Sequence, residues 1–163
     1  MSLCGAASRL RAAAPGDAAR LREIARIAYE KYVSRIGREP APMQADYAAA
    51  IAAGRAVVIE AGGVVIAYMV AWPEPDAYFV ENIAVDPARQ GRGAGRALID
   101  HAVREARRHG LAALRLYTNA AMRENLAMYE HLGFVETHRA IAHGFDRVFM
   151  RWDLSPSSEP SMR

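Results

Sequence analysis

The stretch that most constrains this chain covers residues 83–99 and reads I-A-V-D-P-A-R-Q-G-R-G-A-G-R-A-L-I. An apolar strand pattern ends at Asp86-Pro87, and a run of glycines then opens a helix. Such a start leaves backbone N–H groups without helical acceptors, and the helix dipole adds partial positive charge there. Because glycine also lets a ligand approach the backbone closely, the stretch predicts a phosphate-binding loop.

The loop does not match the two commonest nucleotide motifs. A Walker A loop needs a lysine after its glycine, and the chain has one lysine, Lys31, outside the stretch. A dinucleotide fingerprint needs a third glycine where Arg96 stands and an acidic residue about 20 positions later, close to Arg115. We therefore exclude both motifs for this loop.

Positive charge is concentrated around the loop. The whole chain carries a net charge of +3, and residues 86–115 alone contain seven arginines against three acidic residues. A basic stretch beside a glycine-rich turn suits a compact polyphosphate better than a long nucleic-acid backbone. A nucleic-acid binder stays an alternative, and it predicts an affinity that falls steeply with salt.

The hydrophobic periodicity predicts an α/β fold with a mixed sheet and helices on its faces. A helix is expected from Asp17, as its N-cap, to residue 33, and a loop over residues 34–41. A second helix is expected from Pro42 to Gly54. Further helices are expected over residues 93–109 and 122–131, and strands over residues 9–13, 56–60, 64–72, 78–85, 112–118, 134–141 and 147–154.

The length of 163 residues predicts one domain, over residues 9–154, between a flexible N-terminus (1–8) and a flexible tail (155–163). The single cysteine, Cys4, cannot form an intramolecular disulfide, and no Cys/His cluster has zinc-ligand spacing, so no metal is expected. No apolar run reaches the ~20 residues of a membrane helix. A cytoplasmic protein without a membrane partner is expected.

Two motifs resemble the GNAT superfamily of acyl-CoA-dependent N-acetyltransferases. Gln90, Gly93 and Gly95 match its Q/R-x-x-G-x-G/A signature, and Y-E-H-L-G-F at residues 129–134 looks like its Y-x-x-x-G-F. The resemblance implies a mostly antiparallel central sheet flanked by helices. It also implies transfer of an acetyl group from acetyl-CoA to a primary amine, on a small molecule or a peptide, within a ternary complex. Cys4 lies far from both motifs, so no acyl-enzyme is expected.

The resemblance also implies where acetyl-CoA binds. The pyrophosphate is expected on the loop, and the pantetheine arm is expected to pair with the preceding strand. Many relatives carry an asparagine where this chain has Met122, so Asn119 or Asn125 is expected to take that cofactor contact. The strand and loop residues implied in cofactor binding are Ile83, Ala84, Val85, Gln90, Gly91, Arg92, Gly93, Ala94, Gly95 and Arg96.

Catalysis in the family implies three further roles. A backbone N–H near Ile83 or Ala84 is expected to bind the oxyanion. Tyr129 is expected to donate a proton or hydrogen bond to the leaving thiolate, and Glu81 to act as general base toward the amine. The alternatives are that Tyr129 is an interior aromatic residue and that Glu81 is an ordinary strand carboxylate.

The expected partners are acetyl-CoA and an amine acceptor, and the acceptor is expected to contact residues 29–47 and 138–147. Tyrosines and carboxylates there suit a cationic amine, whereas two arginines oppose it, so the sequence does not identify the acceptor. A homodimer stays an open alternative. A non-catalytic acyl-CoA-binding module of the same fold is the alternative to an enzyme.

Overall fold

The computed structural model describes residues 8–155. Their strands are β1 (Ser8–Ala12), β2 (Ala56–Ala61), β3 (Val64–Pro73), β4 (Tyr78–Val85), β5 (Ala113–Asn119), β6 (Val135–Ala142) and β7 (Phe145–Asp153). Their helices are α1 (Ala18–Tyr29), α2 (Val33–Ile36), α3 (Tyr47–Ala52), α4 (Ala94–Arg108) and α5 (Arg123–Leu132). Short 3-10 turns lie at Pro15–Asp17, Glu30–Tyr32, Ala41–Gln44 and Pro87–Arg89.

The strands form one seven-stranded sheet in the order β1-β2-β3-β4-β5-β7-β6. The pairs β1/β2, β2/β3, β5/β7 and β6/β7 are antiparallel, and β4/β5 is parallel. Each strand predicted from the sequence is present within a few residues of its expected bounds. The prediction of a mixed, mostly antiparallel sheet flanked by helices is therefore confirmed.

The described chain divides into two compact units, residues 8–72 with 80–101 and residues 73–79 with 102–155. In the first unit Leu21 and Ile24 of α1 are fully buried. In the second, Leu114 on β5 and Val148 on β7 are fully buried. The expected domain over residues 9–154 stays a prediction, and Cys4 and the expected flexible ends lie outside the described residues, apart from Ser8 in β1 and Ser155.

The helix predicted from Asp17 to residue 33 is confirmed over residues 18–29 and wrong in its last four residues. α1 ends at Tyr29, and a 3-10 turn leads into α2, within the expected loop. A 3-10 turn stacks residues i and i+3, so Tyr32 follows directly above Tyr29, and both tyrosines are buried. Asp17 stands next to α1, but its carboxylate accepts from the Ala14 N–H (2.7 Å) and pairs with Arg11 (2.8 Å). It therefore caps the preceding turn and not the helix.

The helix predicted from Pro42 to Gly54 is also wrong in its first half. A 3-10 turn ends at Gln44, and α3 starts only at Tyr47. The cause is Asp46, whose carboxylate accepts a hydrogen bond from the Ala49 N–H at 3.0 Å and so acts as the N-cap. An aspartate that bonds to its own backbone in this way holds an extended conformation, which separates the turn from the helix.

Candidate functional site

The loop between β4 and α4 has the geometry of an anion-binding helix start. Gly91 and Gly93 take left-handed φ values of +82° and +87°. The first helical bond runs from the Ala97 N–H to the Gly93 carbonyl at 2.9 Å, so the N–H groups between them have no helical acceptor. A Cβ added at Gly91 or Gly93 would meet nothing within 4 Å. The loop therefore offers unpaired donors beside open space.

Arg20 and Asp86 hold the base of this loop. Asp86 caps the 3-10 turn by accepting from the Ala88 N–H at 2.9 Å, and it pairs with Arg20 at 2.8 Å. Burial favours the neutral acid, but the Ala88 N–H and the Arg20 guanidinium outweigh it and lower the pKa of Asp86. Arg20 also donates to the Val65 carbonyl at 2.9 Å. The loop base is thereby tied to α1 and β3.

Two arginines near the start of α4 are uncommitted, which means that their side chains have no partner among the described residues. Arg92 and Arg96 are exposed, and within residues 8–155 neither side chain has a hydrogen bond or ion pair. Ala94, between them, is buried, and Gly95 packs so that an added Cβ would lie 3.8 Å from Cγ2 of Val85. The loop thus has apolar residues beneath it and two arginines directed away from the core.

Glu81 is the exposed residue of β4, with buried residues on either side of it in the strand. The surrounding protein partly shields the Glu81 carboxyl from water and so raises its pKa, and the nearby positive charge of Arg55 opposes that rise. Arg55 itself lies over the Trp72 ring, 4.1 Å from its centroid. A carboxylate that is reachable from solvent and has a raised pKa is suited to exchange protons with a substrate.

A buried polar network beside Glu81 was missed from the sequence. Asn82 on β4 donates through Nδ2 to the Tyr47 hydroxyl at 2.7 Å and accepts at Oδ1 from the Tyr68 hydroxyl at 3.0 Å. The two hydroxyls are 2.8 Å apart, and Tyr47 also contacts the Pro42 carbonyl at 2.6 Å. The one available signal was Asn82, a polar residue in an apolar strand beside an exposed glutamate.

Two side chains donate hydrogen bonds to backbone carbonyl groups near the end of β4. The Tyr29 hydroxyl donates to the Ile83 carbonyl at 2.8 Å in a buried position. Gln90 donates through Nε2 to the Val85 carbonyl at 3.3 Å. Ile83 and Ala84 are buried, and Val85 is partly exposed. These contacts show that Gln90 folds back onto the strand that precedes its loop.

Tyr129 lies in the second unit, near the C-terminal end of α5. Its side chain is buried, and its ring meets the Phe134 ring edge-on with centroids 5.7 Å apart. The Tyr129 carbonyl accepts from the N–H groups of Gly133 (3.2 Å) and Phe134 (3.0 Å). Gly133 has φ +125°, and a Cβ there would lie 3.0 Å from the Trp152 ring. The Y-E-H-L-G-F motif thus builds a helix end that fixes Tyr129.

Asn119 and Asn125 also lie in the second unit, and both side chains have local partners. Asn119 accepts at Oδ1 from the Ala121 N–H at 2.8 Å, which shapes the turn after β5. Asn125 donates from Nδ2 to Sδ of Met122 at 3.6 Å, and Thr118 donates to the same sulfur at 3.6 Å. Met122 is buried and accepts both contacts, so the side chain at this position points into the protein.

Two absences apply to the described part of the chain. Residues 8–155 contain no group of three or more His, Cys, Asp or Glu side chains arranged to hold a metal ion. No helix within that range is long and apolar enough to cross a membrane.

The predicted site residues fall into two groups. Glu81, the end of β4 and the loop over residues 90–96 lie in the first unit, and Tyr129 lies in the second with Asn119 and Asn125.

Comparison with curated proteins gives matches over part of the chain. The [ribosomal protein bS18]-alanine N-acetyltransferase of Escherichia coli K12 is 47% identical over 55 residues, which are 34% of this chain and 37% of that enzyme. The mycothiol acetyltransferase of Beutenbergia cavernae is 44% identical over 52 residues, 32% of this chain and 18% of that protein. The matched segments thus cover 37% of the first relative's length and 18% of the second's.

Solved structures match the fold over most of the chain. The PaiA N-acetyltransferase of Thermoplasma acidophilum, solved in complex with coenzyme A, has a TM-score of 0.76 at 16% identity, covering 90% of this chain and 99% of that one. The ribosomal-protein-S18-alanine N-acetyltransferase of Escherichia coli has a TM-score of 0.67 at 24% identity, covering 96% and 100%. The sequence model of the acetyltransferase (GNAT) family matches residues 19–134, more than half of the chain. By this match, the chain belongs to the acetyltransferase (GNAT) family.

Proposed function

We propose that this protein transfers an acetyl group from acetyl-CoA to a primary amine. The observation that carries the proposal is the loop over residues 90–96, where left-handed glycines, unpaired N–H groups and two uncommitted arginines meet at the start of α4. This combination suits a pyrophosphate, which is one of the anionic groups of coenzyme A. Family membership and a neighbouring fold solved with coenzyme A support the same ligand.

The loop binds the pyrophosphate mainly through backbone N–H groups. Gly91 and Gly93 permit the close approach, and Arg92 and Arg96 add charge-assisted contacts. The pantetheine arm pairs with β4 at Ile83, Ala84 and Val85. On the second unit, Asn119 or Asn125 supplies a further cofactor contact in place of Met122, and the fixed orientation of the Asn119 side chain supports a directed amide donor there.

The proposed acetyl transfer uses residues of β4 and α5. The amine must be neutral to attack, so Glu81 accepts its proton, directly or through a water molecule, and its raised pKa supports that role. The amine nitrogen then bonds to the acetyl carbon, and a backbone N–H of β4 stabilises the negative oxygen. As the bond from carbon to sulfur breaks, the nitrogen loses its extra proton and the thiolate gains one, and Tyr129 donates that proton or a hydrogen bond to the thiolate. The products are an amide and coenzyme A.

The acceptor class that we propose is a primary amine on a small molecule or a peptide. A cytoplasmic setting belongs to the same proposal, and a homodimer stays an open alternative. The relative that acetylates an alanine of a ribosomal protein gives a reason to include peptides that begin with alanine. An exposed carboxylate at Glu81 supports a cationic amine as the group that approaches β4.

Two measurements test the proposed function. In a thermal-shift assay, acetyl-CoA and coenzyme A are expected to raise the melting temperature, whereas NAD and ATP are not. Equal shifts from all of these ligands would remove the cofactor assignment. A panel of amines and peptides is then followed by the release of free coenzyme A. Binding of acetyl-CoA without turnover across a broad panel would favour the non-catalytic acyl-CoA-binding module.

A further inference from the structure

One hydrogen bond at the end of β4 shows which backbone groups of the strand face β3. The Asp86 N–H donates to the Ile66 carbonyl of β3 at 2.8 Å. The N–H and C=O groups of one strand residue point to the same edge, and successive residues alternate between edges. Ile83 and Val85 therefore direct their backbone groups to the edge away from β3.

The side-chain contacts agree with this alternation. The Ile83 carbonyl takes its hydrogen bond from the Tyr29 hydroxyl at 2.8 Å, and the Val85 carbonyl takes one from Gln90 at 3.3 Å. The Ile83 N–H shares the edge of its own carbonyl, whereas the Ala84 N–H points toward β3. Of the two candidate oxyanion donors, the geometry thus selects the Ile83 N–H.

The Ile83 N–H lies between two anchored groups. On one side, the Asn82 amide is held by the hydroxyls of Tyr47 and Tyr68. On the other, the Ile83 carbonyl is held by Tyr29, which is itself buried at the end of α1. A buried carbonyl without a donor would rotate toward another partner, because an unpaired polar group in the interior is unfavourable. The Ile83 N–H and C=O belong to successive peptide groups that are joined at the Ile83 Cα. Movement of the carbonyl therefore changes the backbone angles of Ile83, and with them the direction of the Ile83 N–H.

We propose that Tyr29 is a positioning residue for acetyl transfer, which holds the Ile83 carbonyl so that the Ile83 N–H is aimed at the thioester oxygen of acetyl-CoA. The inference rests on the proposed function. Tyr29 makes no bond to the acetyl group and acts through the backbone of Ile83. Its effect is greatest when the carbonyl oxygen gains charge, because preorganised donors are worth most there. It therefore affects kcat more than the affinity for coenzyme A.

The test compares Tyr29→Phe with Tyr32→Phe. Both variants keep a buried ring and lose one hydroxyl, and the two rings are neighbours, with centroids 6.2 Å apart. Acetyl-CoA with an isotope-labelled carbonyl is bound to each protein, and the infrared C=O stretch is recorded. A hydrogen bond to the thioester oxygen lowers this frequency. We expect the full lowering in the wild type and in Tyr32→Phe, and a smaller one in Tyr29→Phe.

The kinetic expectation is a fall in kcat of about ten-fold for Tyr29→Phe, the size of one ordinary hydrogen bond, with unchanged affinity for free coenzyme A. An undiminished shift of the C=O stretch in Tyr29→Phe overturns the inference. If that variant does not fold, Tyr29→Met fills the space with a flexible apolar side chain, and the same comparison applies. A wild-type protein that does not bind acetyl-CoA refutes the proposed function instead, so the two failures are distinguishable.

Discussion

Replacing Gly93 by valine tests the anion-binding loop most directly. Gly93 has φ +87°, so a side chain there strains the backbone, and an added Cβ would meet nothing within 4 Å. A side chain in a sparsely populated backbone region costs about 1–3 kcal/mol. At ~2–4 °C per kcal/mol for a protein of this size, the melting temperature of the free protein should fall by roughly 2–12 °C. The fold is expected to survive.

The ligand response is expected to disappear in this variant. Coenzyme A at 100 times its Kd adds about 2.7 kcal/mol of stability, or roughly 5–11 °C on the same scale. In Gly93→Val the new side chain occupies the open space that the pyrophosphate needs. The assay is a thermal-shift titration with coenzyme A, in which each variant is compared with its own ligand-free melting temperature. That difference separates loss of binding from loss of stability.

Gly95→Ala is the matched control. Gly95 does not have a left-handed backbone, and its added Cβ would lie at an ordinary contact distance of 3.8 Å from Val85. Alanine is favoured over glycine in a helix by about 0.5–1 kcal/mol, so this variant should be as stable as the wild type or more stable, with the full ligand shift. A full coenzyme A shift in Gly93→Val would refute the assignment of the loop.

Three further predictions concern side chains. Glu81→Gln should lower kcat/KM most at pH values above the raised pKa of Glu81 at which the amine is still mostly protonated, and least at alkaline pH, where the amine is already neutral and needs no base; a uniform deficit in the pH profile would indicate positioning instead. Tyr129→Phe should lower kcat ~100-fold or more with unchanged coenzyme A binding, and an unaltered kcat with rate-limiting chemistry would make Tyr129 a packing residue. Arg92→Gln and Arg96→Gln should each weaken coenzyme A binding by about 1 kcal/mol or less, and less at high salt. Arg104→Gln, farther along α4, is the control, and an equal loss there would refute a local contact.

The parts of the fold that local chemistry decides were predictable from the sequence. The glycines and Asp86 determine the loop and the start of α4 through their own backbone preferences, and the loop formed where it was expected. The helix after Asp17 was predicted too long, because the burial of Tyr29 and Tyr32 decides where it ends. The Tyr29 hydroxyl donates to the Ile83 carbonyl on β4, 54 residues away, and periodicity alone does not reveal such a contact.

The candidate site shows the same division. The loop motif was enough to locate the start of α4, and Glu81 followed from its position on the strand before the loop. Asn82 was missed because its partners, Tyr68 and Tyr47, are 14 and 35 residues away in sequence. A polar residue in a strand does not show which hydroxyls it will meet. The roles of the predicted site residues stay predictions.

The network around Asn82 contains one hydrogen fewer than it has contacts. Burial raises the pKa of both tyrosines, so both hydroxyls keep their protons at neutral pH. The Tyr47 and Tyr68 hydroxyls have one hydrogen each, and Asn82 Nδ2 directs one of its two hydrogens to Tyr47. The four contacts are those of Tyr47 with the Pro42 carbonyl, of the two hydroxyls with each other, and of Asn82 with each hydroxyl. One contact is therefore always without a proton. Removing the Tyr68 hydroxyl leaves two contacts for two hydrogens and takes the donor from one buried atom, Asn82 Oδ1. Removing the Tyr47 hydroxyl takes the donor from the Pro42 carbonyl and the acceptor from Asn82 Nδ2.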